Sequence, residues 1–268
     1  MGYNEARWRL RESPLVYVLA QVVISPVMLM QGYIPKIQED LRRNGFPRFQ
    51  ENQIQEITLI QPQQLQTRTS TRWIFLSADG QEAIVVSNGF IVLETSNYDT
   101  FDRFLEKLQL ATEVIDSAVN LGLVERLGLR YIDLIHPKDN ETFSDYLNPG
   151  LLGLPEERHG IRRTTHLVES RDQTEIGGQL IVRLLQSSRG KFLPPDLEAP
   201  HLTFNKKPPP DAVTSTLDID HFKDLQEEFA SAKLSEVMWQ LHGFTKQTFE
   251  TAVTEQALEK WGKEDLEG

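Results

Sequence analysis

Cysteine is absent from this chain of 268 residues. That one absence removes disulfides, thiolate nucleophiles, iron–sulfur clusters and cysteine-type zinc sites, and it suits a reducing, cytoplasmic location. A membrane-length apolar run is missing too. The stretch Leu15 to Ile24 contains Gln21 and stops at Ser25-Pro26, which is too short to cross a bilayer. Arg7, Arg9 and Arg11 precede it, but no small-residue cleavage site follows, so a buried strand is expected here rather than a secretory leader, and no membrane partner. Phosphate loops are lacking as well: Gly150 and Gly153, Gly177-Gly178 and Gly243 fit neither the Walker nor the dinucleotide pattern. No Gly-x-Ser-x-Gly occurs, and the six histidines, at 136, 159, 166, 201, 221 and 242, include no pair at the helical i, i+4 spacing of a metalloprotease. We therefore expect no catalytic residue, no cofactor and no metal.

Positive charge is scarce. The formal net charge is −11, and the stretch from Asp211 to Gly268 holds 13 acidic residues against 5 basic ones. An acidic chain does not replace counterions along a phosphate backbone, so nucleic acid is not the expected partner. The acidic end either keeps the chain soluble or meets a basic partner.

What is present is the pattern of an α+β fold of antiparallel-rich sheets packed by long helices, with a possible parallel between its two halves. Pro14 and Pro26 bracket the strand 15–24, and Ile34, Ile37, Leu41 and Phe46 recur at helical spacing before Gly45 ends the helix. Strands are expected at 53–60 and 65–76, with hairpin turns at Asp79-Gly80 and Asn88-Gly89 leading through strands 82–87 and 90–95. Asn97 and Thr100 can cap a helix whose stripe runs through Phe101, Phe104, Leu108, Val114 and Ile115, and 121–135 reads as a return strand. The first half, 1–137, is thus β-α-β-β-β-β-α-β, one sheet against two helices. In the second half, 138–268, we expect a connection with a short helix near 143–147, strands at 164–170, 179–187, 201–204 and 212–219, and an acidic helical end. Its stripe is Leu234, Met238, Leu241, Phe244 or Thr245, and Phe249, with Thr254 capping a last short helix.

Three segments, Ser13-Pro14-Leu15-Val16, Trp73-Ile74-Phe75-Leu76-Ser77 and above all Gly128-Leu129-Arg130-Tyr131-Ile132-Asp133, resemble a sporadically distributed bacterial family of conserved hypothetical proteins of similar length, marked by a Gly-Leu-Arg-Tyr-Ile-Asn/Asp segment. The resemblance spans most of the chain and is weakest over 138–163. It implies a protein of patchy distribution carried on mobile or antiviral-defence islands, with no established catalytic residue to carry over. Asp133 stands where the family often has Asn.

Several residues are candidate sites. Arg126 and Arg130 lie four apart on an expected strand and share a face with the gap at Gly128. They contact an anion, or they pair with Glu125, Asp133 or Glu94. Arg158, His159, Arg162, Arg163 and Arg171 form a basic cluster interleaved with Glu156, Glu157, Glu169 and Asp172, able to grip phosphate or to pair locally. Asp218 and Asp220 are the densest acidic ligands for a cation, although Asp220 also suits a helix cap. Phe244, Phe249, Leu258 and Trp261 are apolar surface that must dock on the chain's own sheet or on a partner.

Two functions follow as expectations. The first is a non-catalytic interaction or scaffold protein, accessory to a mobile-element or phage-defence system and acting on a protein partner or on itself. The second is a sensor or enzyme for a phosphorylated or nucleotide-like ligand held by Arg126, Arg130, Arg162 and Arg163.

Overall fold

The computed structural model describes residues 8–61, 64–154, 163–187, 192–197, 199–209 and 211–265, and only the backbone of 55–61, 64–68 and 265. The fold is α+β. One nine-stranded, fully antiparallel sheet runs in the order β3-β4-β5-β6-β2-β7-β10-β9-β8. Its strands are β2 (Leu15–Ile24), β3 (Arg48–Gln61), β4 (Gln64–Leu76), β5 (Glu82–Val86), β6 (Phe90–Thr95), β7 (Leu123–Ile135), β8 (Thr165–Gln173), β9 (Gln179–Ser187) and β10 (Thr214–Glu228). A small separate pair joins β1 (Trp8–Leu10) to β11 (Lys263–Asp265), tying the two ends of the described chain together.

The expected order of the first half, with its one sheet, is what the structure contains. The expected division at 137/138 meets a continuous sheet, because β7 pairs with β2 on one side and with β10 on the other. Three long helices cover one face: α1 (Met30–Arg43), α2 (Phe101–Val119) and α4 (Ser231–Ala252), the last from the second half. Their stripes (Ile34, Ile37 and Leu41; Phe104, Leu108 and Ile115; Leu234, Met238 and Leu241) bury against inward positions of β2 and β7. The end of α4, with the short α5 (Glu255–Lys260), covers β9 and β10 through Val253, Ala257 and Trp261. Ala199, Leu202 and the flanking Phe192 and Phe204 cover the opposite face.

Four local expectations are corrected. Thr100, not Asn97, caps α2, its hydroxyl accepting from the N–H of Arg103, while the Asn97 N–H is bound to Thr95. Asn88-Gly89 turns without positive φ, whereas Gly80 adopts φ +72° and Gly45, after α1, φ +98°. The segment 201–204 is no strand, because Thr203 directs its N–H to Gly80 and its carbonyl to Ser96, away from any ladder. Asp220 caps no helix: the partner β7 is long enough for β10 to pair onward to Glu228.

The element around 143–147 is a single 3-10 turn, Phe143–Asp145, followed by the short α3 (Pro149–Leu152). Thr254 caps α5 as expected, accepting from Ala257 N–H at 3.0 Å.

A candidate ligand cavity beneath helices α2 and α4

Alternation along β7 separates two chemistries. Arg126, Gly128 and Arg130 point to the face away from the helices; Leu127, Leu129, Tyr131 and Asp133 point toward them.

On the outer face, Arg130 is buried and doubly engaged. Its Nε and Nη2 donate to the two carboxylate oxygens of Asp218 on β10, both at 2.7 Å, and Nη1 and Nη2 donate to Asp196 at 2.7 and 3.1 Å. Arg183 also reaches Asp218, at 3.1 Å, and bonds Glu169, which in turn binds Arg171. Bonding to Arg130 holds the Asp196 carboxyl below the usual aspartate range. Arginine forks on carboxylates of this kind are closed electrostatic units. The partners expected for Arg130, Glu125, Asp133 and Glu94, are not the ones it takes; Glu94 is bonded instead to Tyr17 and His201.

The other sequence candidates fall as follows. Arg126 donates to Asp224 at 2.7 Å and lies over the Phe222 ring. Arg163 donates to the carbonyls of Leu152 and Leu154. Arg158, His159 and Arg162 lie outside the described residues. Asp218 faces arginine rather than a cation site, and among the described residues no group of three or more His, Asp or Glu is arranged for a metal. Asp220 is half-buried, and burial pushes its carboxyl up. Phe249 and Leu258 pack with the buried Trp261 in the chain's own second core cluster, and Phe244 meets the edge of His221. Trp261 is buried against the chain's own sheet, whereas Phe244, Phe249 and Leu258 are half-buried.

On the helix face a cavity of about 950 Å³ opens between β1, the start of α2, α4 and a floor of β7 and β10. Its walls are aromatic. The Phe101 ring stacks on His242 at 4.0 Å and meets Trp239 edge-on at 4.7 Å, and Tyr98 meets Tyr131 edge-on at 5.7 Å. The Tyr131 hydroxyl lies 2.9 Å from His242 Nδ1. Burial pulls the His242 imidazole down to about 3, so it stays neutral at physiological pH.

Asp133 lies on the same floor with 3 % of its surface exposed. Among the described residues no hydrogen bond or ion pair reaches its carboxyl. Burial pushes it up to about 8, and among the described residues the charge that opposes this is Lys206, acting through space. Lys206 itself donates to the backbone carbonyls of Ser13, at 2.7 Å, and Leu15, at 3.2 Å. A buried acid without a partner is costly and is a marker of function.

The sequence does not mark Tyr98, Phe101, Tyr131, His242 or Trp239 as site residues, and it marks Asp133 only as a departure from the family segment and a possible partner of Arg126 or Arg130. Periodicity carried the signal. Asp133 continues the apolar alternation 127, 129, 131, and His242 follows Met238 by four on the inner stripe of α4. An ionisable group in a core-facing register position is the clue.

Neither a scan against protein-family models nor a search of curated proteins returns a match for this chain.

Proposed function

We propose that this chain is a non-catalytic binding protein that holds a small organic ligand in the cavity between α2, α4 and the sheet. The observation that carries the reading is the buried carboxyl of Asp133, which no bond or ion pair among the described residues reaches, on the floor of a space of about 950 Å³. Cavities of roughly 300–1,000 Å³, mostly apolar with a few convergent polar groups, suit drug-sized molecules.

Binding is preferred to turnover because the polar groups beside Asp133 are poorly set for chemistry. The one imidazole is bonded to Tyr131 and held far below the range of a working base. Thr245 donates its hydroxyl to the His242 carbonyl, and the Ser13 hydroxyl accepts from Leu15 N–H.

The reading through an arginine cluster has less support, since Arg130 is saturated by Asp218 and Asp196. A scaffold acting through Phe249, Leu258 and Trp261 has less too, because Trp261 is buried in the chain's own core and Phe249 and Leu258 pack against it. A role for such a sensor on mobile or defence islands remains part of the proposal through the family resemblance alone.

Native mass spectrometry of the purified chain, incubated with a small-molecule extract, tests this. A one-to-one adduct on the parent that is lost in Trp239→Ala is the expected result. A parent that carries no adduct, or an adduct indifferent to Trp239, counts against the cavity as the site.

A further inference from the structure

We propose that the ligand is an organic cation, an ammonium on an apolar or aromatic body, with its nitrogen seated on Asp133 and its body held against Phe101 and Trp239. This rests on the cavity being a ligand site.

Charge matching around the cavity carries the argument. Arg9 and Arg11 lie 3.5 and 3.8 Å from Glu264, Asp99 is bonded to Arg103, and Glu236 lies 3.3 Å from Lys233. Lys246 stands over the Trp8 ring at 5.5 Å, and Asp102 also has a partner. His242 and Tyr131 satisfy each other. Asp133 is the ionisable group left over. The rim charges named here each have a partner, Arg9 and Arg11 sharing Glu264, whereas among the described residues no counter-charge reaches the Asp133 carboxyl. Lys206, the nearest candidate, is turned to the carbonyls of Ser13 and Leu15.

The walls suit the same ligand. Ring faces carry negative potential and attract an alkylammonium, most strongly where water is excluded. Phe101 and Trp239 stand edge to face beside Tyr98 and Tyr131, so an aromatic or aliphatic body is covered while its nitrogen meets the carboxyl. An anionic ligand would meet the ionised Asp133 as a like charge and could take only a hydrogen bond from its protonated form. A neutral acceptor could take a hydrogen bond from protonated Asp133, and the test separates that case. The raised position of the Asp133 carboxyl agrees with a missing counter-ion.

The test is calorimetric titration of the full chain with matched probes: 2-phenylethylammonium, 2-phenylethanol and phenylacetate, and tryptammonium with its alcohol, tryptophol. In the parent each ammonium should bind about tenfold or more tighter than its alcohol, an advantage of about 1.4 kcal/mol. In Asp133→Asn that preference should fall to about twofold, with alcohol affinity retained. The proposal is overturned if alcohol or carboxylate binds as well as ammonium, if the preference survives in Asp133→Asn, or if no ammonium binds the parent. Alcohol binding without ammonium preference leaves the cavity reading standing; no binding by any probe, together with no native adduct, removes both. The parent series alone decides the first arm, so the outcome does not depend on how the variant folds.

Discussion

Tyr131 and Asp133 stand two residues apart on β7 and so share the floor of one cavity, yet the tyrosine hydroxyl lies 2.9 Å from His242 while no bond or ion pair among the described residues reaches the aspartate. Neighbours on one face thus have opposite fates, one satisfied and one stranded. The difference is one of reach. His242 descends from α4 over Tyr131, and the cation nearest Asp133, Lys206, is held by backbone carbonyls.

The stranded carboxyl should be visible in the pH dependence of stability. Asp133 holds its proton up to about 8 in the folded chain and only to ~3.9 when unfolded. Between those values the folded state binds more protons, so stability falls as pH rises, by at most about 5–6 kcal/mol across the window. His242 acts in the opposite sense. Its folded value near 3 lies below the ~6.5 of the unfolded chain, so its contribution is lost as pH drops below 6.5. Urea titrations from pH 4 to 9 should show the parent losing stability most clearly above pH 6.5. Asp133→Asn should abolish that loss and be the more stable protein at pH 8. A parent whose stability is flat or rising there would contradict the assignment.

Arg130 has two carboxylate partners in very different surroundings: the Asp218 side chain is 2 % exposed and that of Asp196 61 %. Removing the arginine leaves the buried Asp218 with Arg183 alone, at 3.1 Å, so Arg130→Ala should cost about 3 kcal/mol, the low end for a broken buried pair. Asp196→Asn should cost about 1 kcal/mol or less, as for other solvent-screened pairs. The combined Arg130→Met/Asp218→Leu variant should recover much of the loss, because it removes both charges together. Chemical denaturation of the three variants checks the order, and an Asp196 variant as damaged as Arg130→Ala would refute it.

Two glycines offer a sterically opposed pair. A Cβ at Gly178 would lie 2.7 Å from His221 Nε2 and 2.9 Å from the Phe222 carbonyl. Backbone cannot yield there, so Gly178→Ala should cost about 1–3 kcal/mol. At Gly32, inside α1, a Cβ would meet nothing within 4 Å, and Gly32→Ala should add about 0.5–1 kcal/mol through helix propensity and a less disordered unfolded chain. Thermal melts of both variants decide whether the signs differ.

The strands and helices of the first half were legible because local signals agreed: prolines bracket 15–24, Gly45 ends α1, and the stripe of α2 is unbroken from Phe101 to Ile115. Less was legible where long-range pairing overrode local preference. The run from Asp220 to Glu228 is polar and suits a cap or loop, but the length of β7 draws it into the sheet. The segment 201–204 has strand-like residues but spends its backbone bonds on loops. At the site, the two arginines of β7 carry the stronger sequence signal because cations four apart on a strand suggest an open face, yet Arg130 is buried. Alternation places Asp133 on the inward face, but only packing reveals that no bond or ion pair among the described residues reaches it.

The apolar end of the chain gives the last prediction. Trp261 was expected to dock either on its own sheet or on a partner, and it is buried with ring centroids 5.6 Å from Tyr146 and 6.1 Å from Phe249. Its carbonyl accepts from Glu12 N–H at 2.9 Å, and Gly262 accepts from Arg11 N–H at 3.1 Å, so the turn after α5 also secures β1, one wall of the cavity. Trp261→Ala should therefore act as a core deletion, costing about 3–5 kcal/mol. A partner-facing tryptophan behaves differently: its truncation weakens association and leaves folding stability near the parent value. Denaturation and light scattering on the same sample distinguish the two. Loss of stability at unchanged molar mass is the expected outcome, and unchanged stability with a lower mass would reassign Trp261 to an interface. Because β1 depends on this turn, the variant should also lose affinity for any cavity ligand, a coupling that a surface tryptophan would not produce.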